Sequence, residues 1–274
     1  MKDSDRQLNE TKRAQVAIKF CWCLIIAIIA FPLLHYARRV LICDSFVIKG
    51  NSMSPTLISG QKVYVHKYIL GPRIYKTMKT DSLDTHFDCV RLPGLRKLKV
   101  GDIAIVNSPE GQGWGKIRFK LNNVCAKRCM GIPGDTVRIV DGHYTCSSKS
   151  GQIISEEQER FFRSIPDSLF EISQCFSAGW FAGEGENWTI KNFGPLVIPC
   201  KGMTIPLDSV NVSHYSWVIE YETGIFPEWD AQVIEKNYTF KENYCFFVGD
   251  NAVDSRDSRY FGFIPEKFVV GVIR

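Results

Sequence analysis

The sequence contains no Cys-x-x-Cys pair, although ten cysteines occur in its 274 residues. Cys125 and Cys129 lie four apart, with no second Cys or His pair to close a tetrahedron, which excludes a zinc finger or ribbon. Buried free thiols are the expected state for most of them, and any pairing among Cys89, Cys146, Cys175, Cys200 and Cys245 is left open. The chain also lacks a block of consecutive basic residues. Its net charge of +5 is spread along the length, so nucleic acid is not an expected partner. Histidines number only five, and none of His66, His86, His143 and His214 sits in a recognisable motif, so no chemistry is expected to depend on them. There is no internal repeat and no low-complexity tract, and neither a metal nor a cofactor is expected.

What is present describes a globular body behind an apolar leader. Apolar residues make up 45% and charged residues 23%, the balance of a chain that buries a core. Phe20 to Leu34 carries no charged side chain. Extended from Val16 to Tyr36, it is long enough to cross a lipid bilayer as a helix. The run leads into His35-Tyr36-Ala37-Arg38-Arg39 without a small-x-small cleavage signal, which predicts an uncleaved anchor over 16–36 rather than a removed leader. Lys2, Arg6, Lys12, Arg13 and Lys19 precede the apolar core, against Arg38 and Arg39 after it. The positive-inside rule then places residues 1–15 in the cytoplasm and the body on the external side.

From Phe46 onward the pattern predicts an antiparallel, mostly-β body. Lys62–Tyr68, Asp102–Val106, Thr136–Val140, Ser216–Tyr221 and Tyr244–Val248 are rich in β-branched or aromatic residues and read as strands, with turn residues between them. Glu156–Cys175 reads as partly helical. Residues 37–141 and 244–274 are expected to form two parts of one catalytic core. Residues 142–243, which match no motif, are expected to be a large insertion or cap between them.

Three segments carry chemistry. In the first, Gly50 to Leu57 (GNSMSPTL), Ser52 follows a strand-like run and precedes a turn, where a hydroxyl is accessible and backbone N–H groups can face an oxyanion; Ser54 is a formal rival. In the second, Cys125 to Asp135, an extended backbone puts Val124, Ala126, Arg128 and Met130 on one face and Cys125, Lys127 and Cys129 on the other. Lys127 then projects among thiols. A lysine that accepts a proton near neutral pH must be lowered from about 10.4 to about 7, roughly 4–5 kcal/mol of destabilisation of the ammonium, which burial supplies. In the third, Gly249 to Pro265, Asp257 and Arg259 are placed to pair and Ser255 to hold the lysine nitrogen.

In this order and behind an apolar leader, the three segments resemble the type I signal peptidases, serine proteases with a Ser/Lys dyad. The resemblance covers about Phe20 to Asp135 and Tyr244 to the C-terminus. It implies Ser52 as nucleophile, Lys127 as general base, and Ser255, Asp257 and Arg259 as supporting residues. Ile48, Met53, Leu57 and Ala126 match positions expected to line the substrate pockets. Gly101-Asp102-Ile103 resembles the strand start that precedes the family's lysine segment. It further implies signal peptides of exported preproteins as substrates, with Ala-x-Ala ends, and a single-pass location in the bacterial cytoplasmic membrane. Position 50 departs from members that carry a serine there. The rival reading is an inactive, membrane-tethered β domain that binds extended peptides; loss of Ser52 or Lys127 would be its simplest sign, and both are retained.

Overall fold

A long helix and an antiparallel sheet organise the computed structural model, which describes residues 2–76, 88–111, 113–172, 188–227 and 237–274. Helix α1 (Lys2–Leu41) includes the stretch Ile18–Leu41, 24 residues of mean hydropathy 2.1 with none of the window buried against the body. At about 1.5 Å per residue it spans about 36 Å, more than the roughly 30 Å of a hydrocarbon core. By length and composition it is able to cross a membrane. Its C-terminal end is tied to the body: Arg39 Nε donates to Asp44 at 2.9 Å, and Lys67 Nζ donates to the Arg39 carbonyl at 2.7 Å.

The body begins with a hairpin, β1 (Cys43–Val47) and β2 (Lys62–His66). A single-turn helix α2 (Lys67–Leu70) follows, then the paired strands β3 (Arg73–Tyr75) and β4 (Cys89–Arg91). Next come β5 (Ile103–Asn107), the short ladder of β6 (Glu110–Gly111) with β7 (Gly113–Ile117), and β8 (Val124–Gly131). Strands β9 (Thr136–Val140) and β10 (His143–Cys146) form a tight hairpin around Asp141-Gly142, a dipeptide suited to such turns. Helices α3 (Glu156–Ser164) and α4 (Asp167–Ile172) precede β11 (Phe193–Val197), which pairs with β9. Strand β12 (Thr204–Pro206), helix α5 (Ser209–Thr223) and strand β13 (Asn237–Thr239) come next, the two strands pairing. The chain ends with β14 (Tyr244–Val248), α6 (Ser258–Phe261), β15 (Ile264–Pro265) and β16 (Val269–Ile273).

Seven strands make the main sheet in the order β1-β2-β16-β5-β8-β14-β15, every pairing antiparallel. The mostly-β antiparallel body behind one N-terminal apolar helix is thus the architecture that the strand patterns predict. Every residue of β14 is buried, as its unbroken apolar run requires of a strand covered on both faces. The main core gathers Phe246, Phe247 and Val248 with Phe193, Phe162 and Tyr144 from the 142–243 stretch. A second, smaller apolar cluster lies apart and contains Ile48, Met53, Leu57, Val63, Val65, Ile105, Ala126 and Val270.

Two local expectations are corrected. Ser216–Tyr221 is not a strand but the second half of α5. Asp208 caps that helix by accepting from the Asn211 N–H, Gly224 follows its end, and the buried side chains His214, Tyr215, Val218, Ile219 and Tyr221 recur at helical spacing. The caps and packing outweigh the strand preference of its aromatic and β-branched residues. The expected strand Lys62–Tyr68 stops at His66, where α2 begins. Glu156–Cys175 is helical over α3 and α4, and the rest of it lies outside the described residues.

Candidate active site

A strand and two connections deliver the site. Ser52 lies in the turn between β1 and β2, Lys127 near the middle of β8, and Ser255 in the segment after β14. The post-β14 segment folds back on the β1–β2 turn: the Asn251 N–H donates to the Ser52 carbonyl at 3.0 Å, and Asn251 Nδ2 reaches the Asn51 carbonyl at 3.3 Å. This closure requires glycine at 249. A Cβ there would lie 2.1 Å from Ser255 Oγ and 2.4 Å from the Ser52 carbonyl oxygen, contacts that no side chain survives.

Lys127 is 3% exposed. Its Nζ lies 2.8 Å from Ser52 Oγ and 3.0 Å from Ser255 Oγ. The partners of the amine are hydroxyls rather than the expected thiols; Cys125 and Cys129 pack with the main core instead. The predicted alternation along β8 holds from Val124 to Arg128 and then slips. Phe247 opposes Cys129 while Phe246 opposes Gly131, so Met130 is the extra residue of a bulge and joins the main core, not the Ala126 cluster. Ser54, the rival hydroxyl, is half-buried in the same turn, and its N–H closes that turn onto the Asn51 carbonyl.

Behind the amine is a chain of polar groups with a fixed direction. Ser255 Oγ donates to Asp257 Oδ2 at 2.6 Å. The same oxygen accepts from the Gly249 N–H at 2.8 Å and from Arg259 Nη2 at 2.7 Å, while Oδ1 accepts from Arg259 Nε at 2.8 Å. Asp257 and Arg259 are both fully buried. Burial pushes the Asp257 carboxyl up, but the charge and hydrogen bonds of Arg259 outweigh it and hold the group below the usual carboxylate range. Burial works against the Arg259 charge in turn, and Asp257 more than offsets it. Asp257 is therefore an acceptor only, and the Ser255 proton points at it. Ser255 Oγ is left to accept from the lysine nitrogen. One N–H of the amine is thereby fixed, and the remaining directions are free for Ser52.

A second ion pair braces the front of the site. Arg128 makes a two-pronged contact with Asp250, 2.6 Å from Nε to Oδ1 and 2.6 Å from Nη2 to Oδ2, and the Thr56 hydroxyl donates to Asp250 as well. Arg128 also donates to the Gly101 carbonyl at 3.0 Å. The strand carrying Lys127, the turn carrying Ser52 and the loop carrying Ser255 are thus cross-linked at one carboxylate. Sequence reasoning assigned no role to Asp250, Thr56 or Gly249, although all three lie within the segments it singled out; Thr56 and Arg128 reach Asp250 across 194 and 122 residues.

The four residues expected at the pockets, Ile48, Met53, Leu57 and Ala126, all fall in the second apolar cluster, with Met53 adjacent to Ser52. All nine described cysteines are free, and Cys175 lies outside the described residues, as does His86. Burial pushes the Cys129 and Cys245 thiols well up, so both behave as apolar filling. Among the described residues no group of three or more His, Cys, Asp or Glu side chains is placed to hold a metal ion. His143 contacts Glu159 and His214 stacks on Trp188, both away from Ser52.

Fold and site together define a mostly-β body, joined to an apolar helix, with a buried amine beside a turn serine. The sequence profile described as "Signal peptidase, peptidase S26" matches residues 18–274, and the chain belongs to that family. Signal peptidase I of Buchnera aphidicola subsp. Acyrthosiphon pisum (strain APS) is 26% identical over 245 residues, 85% of this chain and 67% of that protein. Signal peptidase I of Buchnera aphidicola subsp. Baizongia pistaciae (strain Bp) is 24% identical over 269 residues, 96% of this chain and 76% of that protein. The crystal structure of a signal peptidase I from Enterococcus faecalis V583 aligns with 65% of this chain and 98% of that one, at 18% identity and a TM-score of 0.31. Membership of the family supports a peptidase activity.

Proposed function

We propose that this chain is a membrane-tethered signal peptidase that cleaves signal peptides from exported preproteins with Ser52 as nucleophile and Lys127 as general base. The observation that carries the reading is the buried Lys127 nitrogen 2.8 Å from Ser52 Oγ, held from behind by a serine that can only accept from it. Ser52 Oγ attacks the scissile carbonyl as its proton passes to the Lys127 nitrogen. Lys127 then gives that proton to the leaving amine, leaving an ester on Ser52. Water attacks the ester, its proton passing to Lys127 and on to the departing Ser52 oxygen, which restores the enzyme.

The tetrahedral oxygen is met by the Ser52 backbone N–H. Gly50 has no hydroxyl to add, and its φ of +79° is one in which a side chain is strained. The substrate lies extended beside the strands near Ser52 and Lys127, with small side chains facing the cluster of Ile48, Met53, Leu57 and Ala126. Residues 37–141 and 244–274 supply Ser52, Lys127, Ser255, Asp257 and Arg259, and described residues of the 142–243 insertion pack into the same core. Residues 16–36, most of them within the apolar stretch Ile18–Leu41, cross the bacterial cytoplasmic membrane once, residues 1–15 stay in the cytoplasm, and the body faces outward.

The test uses the full chain in detergent and a peptide with Ala-x-Ala before the cut. Ser52→Ala and Lys127→Ala are each expected to lower kcat by at least about a thousandfold. Turnover equal to wild type in either variant refutes the dyad. Absence of cleavage by wild type, with retained peptide binding, supports the inactive peptide-binding domain instead. Protease protection of the chain in sealed vesicles checks the orientation.

A further inference from the structure

We propose that Tyr144, contributed by the 142–243 stretch, is a positioning residue for the lysine, acting through Arg259, Asp257 and Ser255; the inference rests on the Ser/Lys reading above. Arg259 is fully buried, and three of its contacts are to Asp257 Oδ1, Asp257 Oδ2 and the Ala252 carbonyl. Its Nη1 is directed elsewhere, to Tyr144 Oη at 2.9 Å. The phenol oxygen therefore fixes the side of the guanidinium that Asp257 leaves free. A planar guanidinium cannot turn at one nitrogen without moving the others, so Tyr144 sets the plane in which Arg259 meets Asp257. That plane decides where Oδ2 lies, and Oδ2 accepts the hydrogen bond from the Ser255 hydroxyl. Tyr144 is four hydrogen bonds from Lys127 and five from Ser52, and touches neither member of the dyad.

Tyr144 is itself held tightly. It is fully buried on β10, whose burial alternates with Tyr144 and Cys146 inward. Its N–H faces Glu159 on α3, and Glu159 also meets His143 at 3.0 Å. Cys146 Sγ donates to Asp135 at 3.1 Å on the far side of the hairpin. Burial pushes the phenol far above its ordinary value, so the group stays neutral and presents a steady acceptor to Arg259. The 142–243 stretch thus reaches the Arg259 side of the catalytic loop with one hydroxyl.

Tyr144→Phe removes only that hydroxyl. The control is Tyr215→Phe, which deletes a hydroxyl from the same core, one that donates to the Val197 carbonyl at 2.9 Å with no link to Arg259. In the full-length enzyme, Tyr144→Phe is expected to lower kcat about tenfold with KM changed less than about twofold, while Tyr215→Phe leaves kcat near wild type. Equal kcat for Tyr144→Phe and wild type, or equal losses in both variants, overturns the proposal and leaves the dyad standing, because Ser52→Ala and Lys127→Ala are scored separately. If Tyr144→Phe does not fold, site-specific 3,5-difluorotyrosine at 144 keeps the ring and hydroxyl but weakens the oxygen as an acceptor. A lower kcat then supports the proposal and an unchanged one overturns it.

Discussion

Asp257 Oδ2 accepts a hydrogen bond from the Ser255 hydroxyl at 2.6 Å, and this single direction orders the whole site. A serine beside a lysine can donate or accept. With its proton committed to a buried carboxylate, Ser255 only accepts, and it occupies one N–H of the amine at 3.0 Å. Replacing Ser255 by alanine removes that acceptor and frees the amine to rotate. Ser255→Ala is expected to reduce kcat by about ten- to a hundredfold with little change in KM, as measured by steady-state cleavage of an Ala-x-Ala peptide.

The Asp257–Arg259 pair gives the fold a defined acid sensitivity. The Asp257 carboxyl is held below its ordinary value in the folded chain, so on acidification the unfolded chain takes up this proton first. Its contribution is complete above about pH 4, the unfolded value, and is lost as pH falls through the lower folded value. The urea midpoint in detergent should therefore drop from pH 5 toward pH 3. The double variant Asp257→Asn, Arg259→Met should show a shallower slope; an identical slope counts against this origin.

Gly249 tests how closely the loop must approach. The Cβ of alanine would meet Ser255 Oγ at 2.1 Å and Ser255 Cβ at 2.5 Å, so Ser255 or the loop has to shift. Displacement of a positioned group by about 1 Å costs on the order of a hundredfold in rate. Gly249→Ala is thus expected to lose about that much kcat, a loss that Ser255→Ala should not deepen if both act at one place.

Arg128 and Asp250 should behave as one unit. Asp250 is 1% exposed and Arg128 15%, and their two-pronged contact joins β8 to the loop after β14. A double-mutant cycle with Arg128→Met and Asp250→Asn, read by thermal unfolding, is expected to give a coupling of about 1–3 kcal/mol. Additive losses would show that the pair does not brace the site.

Much of this was legible in the chain itself. The apolar helix followed from an uncharged run, and Thr136–Val140 and Tyr244–Val248 appear as strands at the predicted residues, since a period of two and β-branched composition are local properties. Ser52, Lys127 and Ser255 were candidates within three short segments, and the resemblance of those segments taken together assigned their roles. The strand predicted at Ser216–Tyr221 was lost to a helix because its caps, Asp208 and Gly224, lie outside the window that showed strand preference.

Tertiary structure decided what no local pattern encodes. It brought positions 52, 127 and 255 within hydrogen-bonding distance, bulged β8 at Met130, and set hydroxyls rather than thiols around the amine. It also joined Arg128 to Asp250 and Tyr144 to Arg259, pairs separated by 122 and 115 residues. Sequence specifies which groups can donate, accept or hold charge. Which of them meet, and in which direction each proton points, depends on strand order and burial, and only the folded chain supplies those.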